Sequence, residues 1–528
     1  MQSTSDNETP IIGKHILSTL TIGMYQDPRM IYREYIQNSA DQIDTLSEDE
    51  KRDSLRQTIV IDIDEKNRVV EITDKATGIP CNEFRGRLLN VADSHKDPSK
   101  NKGFRGIGRL AGLNYCRTLI FESSAMGETV VSRLEMDAHE MIRILHDSND
   151  HSLAGDVIEK ISKVSYTEGA AKEYDCYFKV ILEDVRLDVG KQLLDVDSVK
   201  EFVAQIAPVP FSNVNFRTGR MIMDAAAKER VPIEEYTVRV NGATITKLYK
   251  DVVADARGKE LGKVGAPTFR SIEWGGKRLA WGWFLLPQYG VSLAGSSNPQ
   301  RKIRLRKGNI QIGFDNFLDP YFPEPRSNGY MQGEIYLLSD AILPNGDRNA
   351  LEVSEEASAL TDQLRNVIFR DLWNAAHKAS ELNSAQNAVK LYETQREDME
   401  LLVREGPAEA VEAKKPEFEK AYYRALAGQR KIRKAVDAPV KGEFVKQVVE
   451  AVAGNTADES QALATPDEVL SEVSSKRHTR VAAKGRKVRT TGTELMNVII
   501  RVLIANGEEV MRAQDLAKKI NDEISPSS

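Results

Sequence analysis

Met30-Ile-Tyr-Arg-Glu-Tyr-Ile-Gln-Asn-Ser-Ala-Asp-Gln-Ile-Asp44 decides how the rest of this 528-residue chain is read. The stretch has no Gly or Pro and predicts one helix. At about 100° per residue, Glu34, Asn38 and Asp41 fall on one narrow stripe, while Ile36, Ala40 and Ile43 fall on another face. A carboxylate one turn before an amide suits a metal–nucleotide site. The amide oxygen is a hard ligand for Mg2+, and the carboxylate can orient or deprotonate an attacking water. Alone, a polar helix stripe is more often a solvated face, so its neighbours in sequence must decide.

Two of those neighbours are informative. Thr58–Asp64 and Val69–Thr73 predict strands, and Glu71-Ile-Thr-Asp-Lys-Ala-Thr-Gly-Ile-Pro80 ends a strand in Asp74 before a turn at Gly78. A carboxylate at a strand end can accept from an adenine amino group, and a glycine lets backbone come close to the ring. Further on, Lys102-Gly-Phe-Arg-Gly-Ile-Gly-Arg-Leu-Ala-Gly112 places Gly103, Gly106 and Gly108 ahead of a predicted helix. Bare backbone N–H groups at a helix start can cradle phosphates. No strand directly precedes this turn and no Gly-Lys-Ser/Thr follows, so it is neither a dinucleotide fingerprint nor a P-loop.

In this order, and within about eighty residues, the three elements resemble the defining motifs of the GHKL superfamily (gyrase, ninety-kilodalton heat-shock chaperone, histidine kinase, MutL). Those motifs are an E-x-x-x-N helix, a D-x-G-x-G turn and a Gly-rich lid hinge. The resemblance implies a Bergerat-type α/β sandwich that binds ATP and Mg2+. It implies Glu34 as general base, Asn38 as Mg2+ ligand, Asp74 as adenine anchor beside Gly78, and Gly103, Gly106 and Gly108 as phosphate-binding hinge. Asp41 stands where the chaperones also carry an Asp. Asn90–Lys96 and Asp97–Asn101 look like the lid, with Ser94 and Lys96 as phosphate contacts. Two departures stand out: Ala76 replaces the first Gly of the turn, and Tyr177-Phe178 lie where the family often has a Gly-Thr strand.

Beyond a Pro-containing connector, Ala207–Phe211, strand-like runs at Tyr236–Val240, Leu279–Phe284, Ile303–Arg306 and Gly333–Leu338 predict a second, mixed α/β domain. Lys302–Gly313 followed by Gly333–Asn349 resembles the middle domain of the heat-shock chaperones, in which an Arg is delivered to the γ-phosphate. The matching residue is Arg348. Arg306 and Lys307 are second candidates, on the pattern of the mismatch-repair relatives. Asp347 replaces the serine usual before this Arg, and it can either orient or compete for Arg348.

The expected organisation is an ATP domain at 1–195, a middle or transducer domain at 196–354, a helical region at 355–453, a basic linker at 454–492 and a small helical element at 493–528. Leu360, Leu364, Val367, Ile368 and Leu372 carry the helical spacing of the third segment, and Leu495 to Leu503 an apolar stripe in the last. Either can hold a homodimer together. The net charge of −6 gives no general drive toward nucleic acid. A local basic run does exist, at Lys476, Arg477, His478, Arg480, Lys484, Arg486, Lys487 and Arg489, and can tether DNA or RNA through phosphates.

Three distant cysteines, Cys81, Cys116 and Cys176, lack zinc or redox spacing. No apolar run is long enough for a membrane helix, and the polar, acidic start is unlike a signal peptide, so no membrane partner and a cytoplasmic location are expected. The leading expectation is an ATP-driven conformational clamp resembling the chaperone branch. A nucleic-acid clamp of the mismatch-repair or microrchidia kind and a nucleotide-sensing scaffold with little turnover are the alternatives.

Overall fold

The structure is a computed structural model that describes residues 11–21, 23, 25, 27–91, 106–254, 260–285, 299–455 and 463–471. These fall into two compact units, one drawn from Met1–Asn383 and Pro439–Ala451, the other from Ser384–Ala438 and Val452–Ser528. Ser94, Lys96, Gly103, the basic run at 476–489 and the stripe at 495–503 lie outside the described residues.

The first sheet of the larger unit has eight strands. They are β1 (Thr58–Asp64), β2 (Val69–Asp74), β3 (Thr118–Ser124), β4 (Val131–Asp137), β5 (Ser162–Thr167), β6 (Tyr177–Glu183), β7 (Thr237–Val240) and β8 (Ala243–Thr244). Their order is β5-β4-β3-β6-β2-β1-β7-β8. Alternation sets the two faces: Ile59, Ile61 and Ile63 on β1 and Val70 and Ile72 on β2 are buried, whereas Asp62 and Asp64 are exposed. The buried face is covered by helices, among them α2 (Met30–Asp44), which follows α1 (His15–Thr21), and α3 (Cys81–Leu89). On the opposite face, Glu71–Lys179 and Glu122–Arg133 ion pairs lace neighbouring strands.

Strand β7 was expected in the second domain but is a member of this sheet. It pairs parallel to β1, with Ile59 opposite Val238 and Ile61 opposite Val240. The reason is apolar matching: Val238 and Val240 are both buried in the same core as Ile59 and Ile61. The intervening helices are α4 (Ala138–His146), α5 (Ala154–Ile161), α6 (Leu187–Leu193), α7 (Val196–Ile206) and α8 (Thr218–Lys228). Val199, Phe202, Val203 and Ile206 of α7 also join this first core, on the far side of the expected boundary.

The short pair β9 (Val252–Ala254) and β10 (Glu260–Lys263) precedes a second sheet. That sheet comprises β11 (Thr268–Trp274), β12 (Lys277–Leu285), β13 (Lys302–Lys307), β14 (Ile310–Ile312) and β15 (Gln332–Leu337) in the order β11-β12-β15-β13-β14. Every residue of β15 is buried, as befits a central strand covered on both faces. Trp283 packs edge-on against Tyr249 at 5.0 Å, in an aromatic cluster with Phe211 and Phe216. Glu334 on β15 is wholly buried and receives Arg306 at 2.5 Å and Lys247 at 2.6 Å. Burial pushes the Glu334 carboxyl up, but Arg306 and Lys247 together outweigh it and hold the group at about 2. Burial and the neighbouring Arg306 push Lys247 down to about 7.

Helices α9 (Glu355–Gln363), α10 (Phe369–Glu405), α11 (Ala408–Asp437) and α12 (Glu443–Asn455) follow, with a π-helical turn at Leu364–Ile368 between the first two. In the smaller unit, the end of α10 and α11 form a hairpin through Gly406-Pro407. Tyr392 stacks on Phe418 at 5.2 Å within its core.

Candidate nucleotide site

Helix α2 is embedded rather than solvated. Glu34 is 7% exposed and Asp41 1%, so two members of the polar stripe are interior groups. Asn38 between them is only half-buried, and its amide makes no hydrogen bond with a described residue. An open amide between two buried carboxylates is a donor set suited to a hydrated divalent cation.

Glu34 is held from both sides. Its Oε1 accepts from Arg33 Nε at 3.3 Å and Nη2 at 3.1 Å. Its Oε2 lies on the bare backbone of Gly108, where an added Cβ would come within 2.4 Å of that oxygen. Glycine is therefore required here for the carboxylate to keep its place. Gly106 turns the preceding chain with φ of 68°. The helix predicted after the hinge is a short 3₁₀ segment, Gly108–Asn114, not an α-helix. Tyr35 explains its tight path: the phenol donates to Arg109 O at 3.1 Å and accepts from Gly112 N at 3.0 Å, tying the segment to α2.

At the end of β2, Asp74 is 1% exposed. Its Oδ2 accepts from the Ser39 hydroxyl at 2.8 Å and its Oδ1 from Ala76 N at 3.2 Å. Burial dominates over these two hydrogen bonds and raises its carboxyl to about 6. Gly78 has φ of 66° and lies so close to β3 that a Cβ would stand 2.1 Å from Ser124 O. Ala76, by contrast, is fully buried and is not among the residues with positive φ. The missing first glycine of the turn therefore carries no backbone penalty. Phe178 pairs with Asp74 across the strands and stacks on Phe121 at 6.0 Å, so an aromatic ring borders this end of the site.

Arg348 comes from the loop that follows β15. It has a left-handed backbone with φ of 52°, and its carbonyl accepts from Gly313 N at 2.7 Å. Its side chain is 6% exposed. Burial is the main cause lowering its guanidinium to about 10, and Arg33 adds to this, while Glu34 and Asp41 oppose it. Arg348 thus shares one electrostatic neighbourhood with Glu34, Asp41 and Arg33. Asp347 does not compete for it through any contact seen here: its carboxylate accepts from Asn349, and its carbonyl from Arg33 Nη2 at 2.9 Å.

The other two basic candidates point elsewhere. Arg306 is spent on Glu334 and on the carbonyls of Gln205, at 2.7 Å, and Asn309, at 2.9 Å. Lys307 donates to Ser339 O at 2.6 Å, and burial lowers its ammonium below the usual lysine range.

Residues 32–163 match the family described as histidine kinase-, DNA gyrase B-, and HSP90-like ATPase. The match supports the GHKL superfamily for this segment. No curated protein matches the chain. The GHKL match includes Glu34, Asn38, Asp41, Asp74, Gly78, Gly106 and Gly108, supports ATP binding, and stops well short of Arg348. The mixed α/β architecture with its eight-stranded sheet, second sheet and helical end agrees with the Bergerat-type fold. Three residues of this candidate site were not singled out in the sequence: Arg33, Ser39 and Tyr35. Arg33 had a legible signal, a cation directly beside a candidate general base. Ser39 and Tyr35 had none, because each acts on a segment more than thirty residues away.

Proposed function

We propose that this chain is a Mg2+-dependent ATPase that works as a conformational clamp, with hydrolysis coupled to the approach of the Arg348 loop to the GHKL domain. One observation carries the reading: Arg348, from the second sheet's connecting loop, is buried, its neighbour Asp347 is held by Arg33 at 2.9 Å, and its guanidinium feels the charges of Glu34 and Asp41. Glu34 is the general base, positioned by Arg33 and with Oε2 against the hinge. Asn38 and Asp41 face the metal side of the nucleotide, and Asp74 receives the adenine amino group. A bound Mg2+ would neutralise charge on the phosphate oxygens. Arg348 supplies a fixed cation where charge develops during phosphoryl transfer, which makes turnover depend on the second sheet's position. Lid closure, a homodimer and action on a protein partner complete the proposal, on the pattern of the chaperone branch.

The test measures ATP affinity and steady-state hydrolysis for the wild type, Glu34→Ala, Asp74→Asn and Arg348→Ala. Glu34→Ala is expected to bind ATP and lose turnover, and Asp74→Asn to lose binding. Arg348→Ala is expected to keep affinity within a few fold and to lose roughly a thousandfold in turnover, as for a removed arginine finger. Wild-type hydrolysis by Glu34→Ala would end its assignment as base, and unchanged turnover in Arg348→Ala would end the coupling.

A further inference from the structure

The last four turns of α11 read Lys420-Ala-Tyr-Tyr-Arg-Ala-Leu-Ala-Gly-Gln-Arg-Lys-Ile-Arg-Lys434. Lys420, Arg424, Arg430, Lys431, Arg433 and Lys434 are all exposed, and no acidic residue interrupts the segment between Glu419 and Asp437. At about 100° per residue, Lys420, Arg424, Lys431 and Lys434 fall within an arc of roughly 80°. Over fourteen residues at about 1.5 Å each, that stripe is about 21 Å long. Its opposite side is already covered: Phe418, Ala421, Ala425, Gly428 and Ile432 are buried, and Gly428 approaches Ala385 O so closely that a Cβ would stand 2.6 Å away.

On α10, half-buried Arg396 pairs with Glu400 four residues on. Among the described residues, none of the six exposed cations between Lys420 and Lys434, four of them on the stripe, forms an ion pair. Six unpaired positive charges are thus concentrated on one helix of a chain whose net charge is −6. Tyr423, 67% exposed on the flank of the stripe, is its one large exposed ring.

We infer that this stripe binds the phosphate backbone of a nucleic acid. The chemistry selects this partner over two other polyanionic surfaces. A lipid surface would need an apolar helix face to sink into it, and the apolar face of α11 is occupied by α10. An acidic peptide helix would need apolar anchors at helical spacing, and the stripe offers cations at those positions instead. The four cations of the stripe can each neutralise one phosphate, a footprint of about four phosphates. Contacts to phosphate alone carry no base readout, so binding is independent of sequence and steeply dependent on salt. Tyr423 adds a stacking surface for an unpaired base.

The full chain is titrated against two fluorescein-labelled 30-mer duplexes of unrelated sequence, and against a labelled single strand, at NaCl concentrations from 50 to 200 mM. The comparison protein is Arg424→Glu/Lys431→Glu/Lys434→Glu, whose altered side chains are exposed and leave the hairpin core and the nucleotide site untouched. Circular dichroism and ATP affinity check that it is folded. The wild type should bind both duplexes alike with a log–log salt slope of about −4, from roughly 0.9 per phosphate neutralised. The triple variant should bind at least tenfold more weakly with a shallower slope, and Tyr423→Ala should weaken only the single strand. Three outcomes overturn the inference: no binding at 50 mM NaCl, triple-variant binding at the wild-type affinity and slope, or loss only when the cations of 476–489 are neutralised. A fourth, binding to anionic phosphatidylserine vesicles with none to either nucleic acid, overturns it equally.

Discussion

The Arg33 guanidinium joins the Glu34 carboxylate, 3.1 Å away, to the backbone of the Arg348 loop through the Asp347 carbonyl, 2.9 Å away. One buried side chain therefore registers both the proposed base and the loop of the proposed arginine finger. Arg33→Ala should leave nucleotide affinity near the wild-type value and lower turnover by about ten- to a hundredfold, the range for a lost positioning contact. Arg33→Lys should recover little, because an ammonium cannot fork between two acceptors in fixed directions. Equal losses of affinity and turnover in a stopped-flow binding and hydrolysis assay would contradict this role.

Gly108 is the most economical probe of the Glu34 geometry. A methyl group at 108 would stand 2.4 Å from Glu34 Oε2, so Gly108→Ala must displace the carboxylate or the hinge. Since φ at 108 is not positive, the substitution is not strained by its own backbone. The expected outcome is a protein with near-normal melting temperature and turnover reduced by about a hundredfold or more. A variant that hydrolyses ATP at the wild-type rate would show that Oε2 does not need its place on the hinge.

Asp74 gives a pH dependence whose sign follows from its environment. Burial raises its carboxyl to about 6, above the ordinary aspartate value near 4. Between those values the folded chain retains a proton that the unfolded chain has lost. The stabilisation is thus fully present below about pH 4 and is lost as pH rises through about 6. Near pH 8 the buried charge costs on the order of 2 to 3 kcal/mol. In urea titrations of the nucleotide-free protein, Asp74→Asn should therefore be more stable than the wild type at pH 8, with the gap closing toward pH 4. A gap that is constant with pH would remove Asp74 as its source.

The buried Glu334 cluster predicts an asymmetry between its members. Glu334→Gln leaves Lys247 and Arg306 buried together without a counter-charge and should cost about 3 to 5 kcal/mol. Lys247→Met leaves the Arg306–Glu334 pair intact and should cost markedly less, on the order of 1 kcal/mol. Chemical denaturation of the two variants separates these outcomes. Equal losses would mean that the Lys247–Glu334 contact matters as much as the Arg306–Glu334 pair.

How much of this was legible in the sequence differs by element. The helix at Met30–Asp44 and strands β1 and β2 were legible because apolar periodicity is a local property. Asp74 and Gly78 were legible as a strand end and a turn for the same reason. The 3₁₀ form of Gly108–Asn114 was not, because Tyr35, on another element, sets its path. Strand β7 was placed with the wrong sheet. Its apolar pattern marks it as a strand, but a pattern of period two cannot name the neighbour that β1 provides across nearly two hundred residues. Ala76 was noted as a departure and proves compatible with the turn, since only the backbone angle could show that glycine is not needed there.

The sequence alone determined the elements and the chemical inventory of the site: a carboxylate and amide one turn apart, an acid at a strand end, glycines at a hinge and an arginine far downstream. The first three follow from spacing along a single element, and the arginine only from the resemblance to the chaperone middle domain. Only the tertiary structure decided which of these groups are desolvated and which share a neighbourhood. It tied the Arg348 loop to Arg33, the partner of Glu34, through the Asp347 carbonyl and committed Arg306 to Glu334. That selection depends on burial and charge pairing between distant segments, and three-dimensional packing alone sets both.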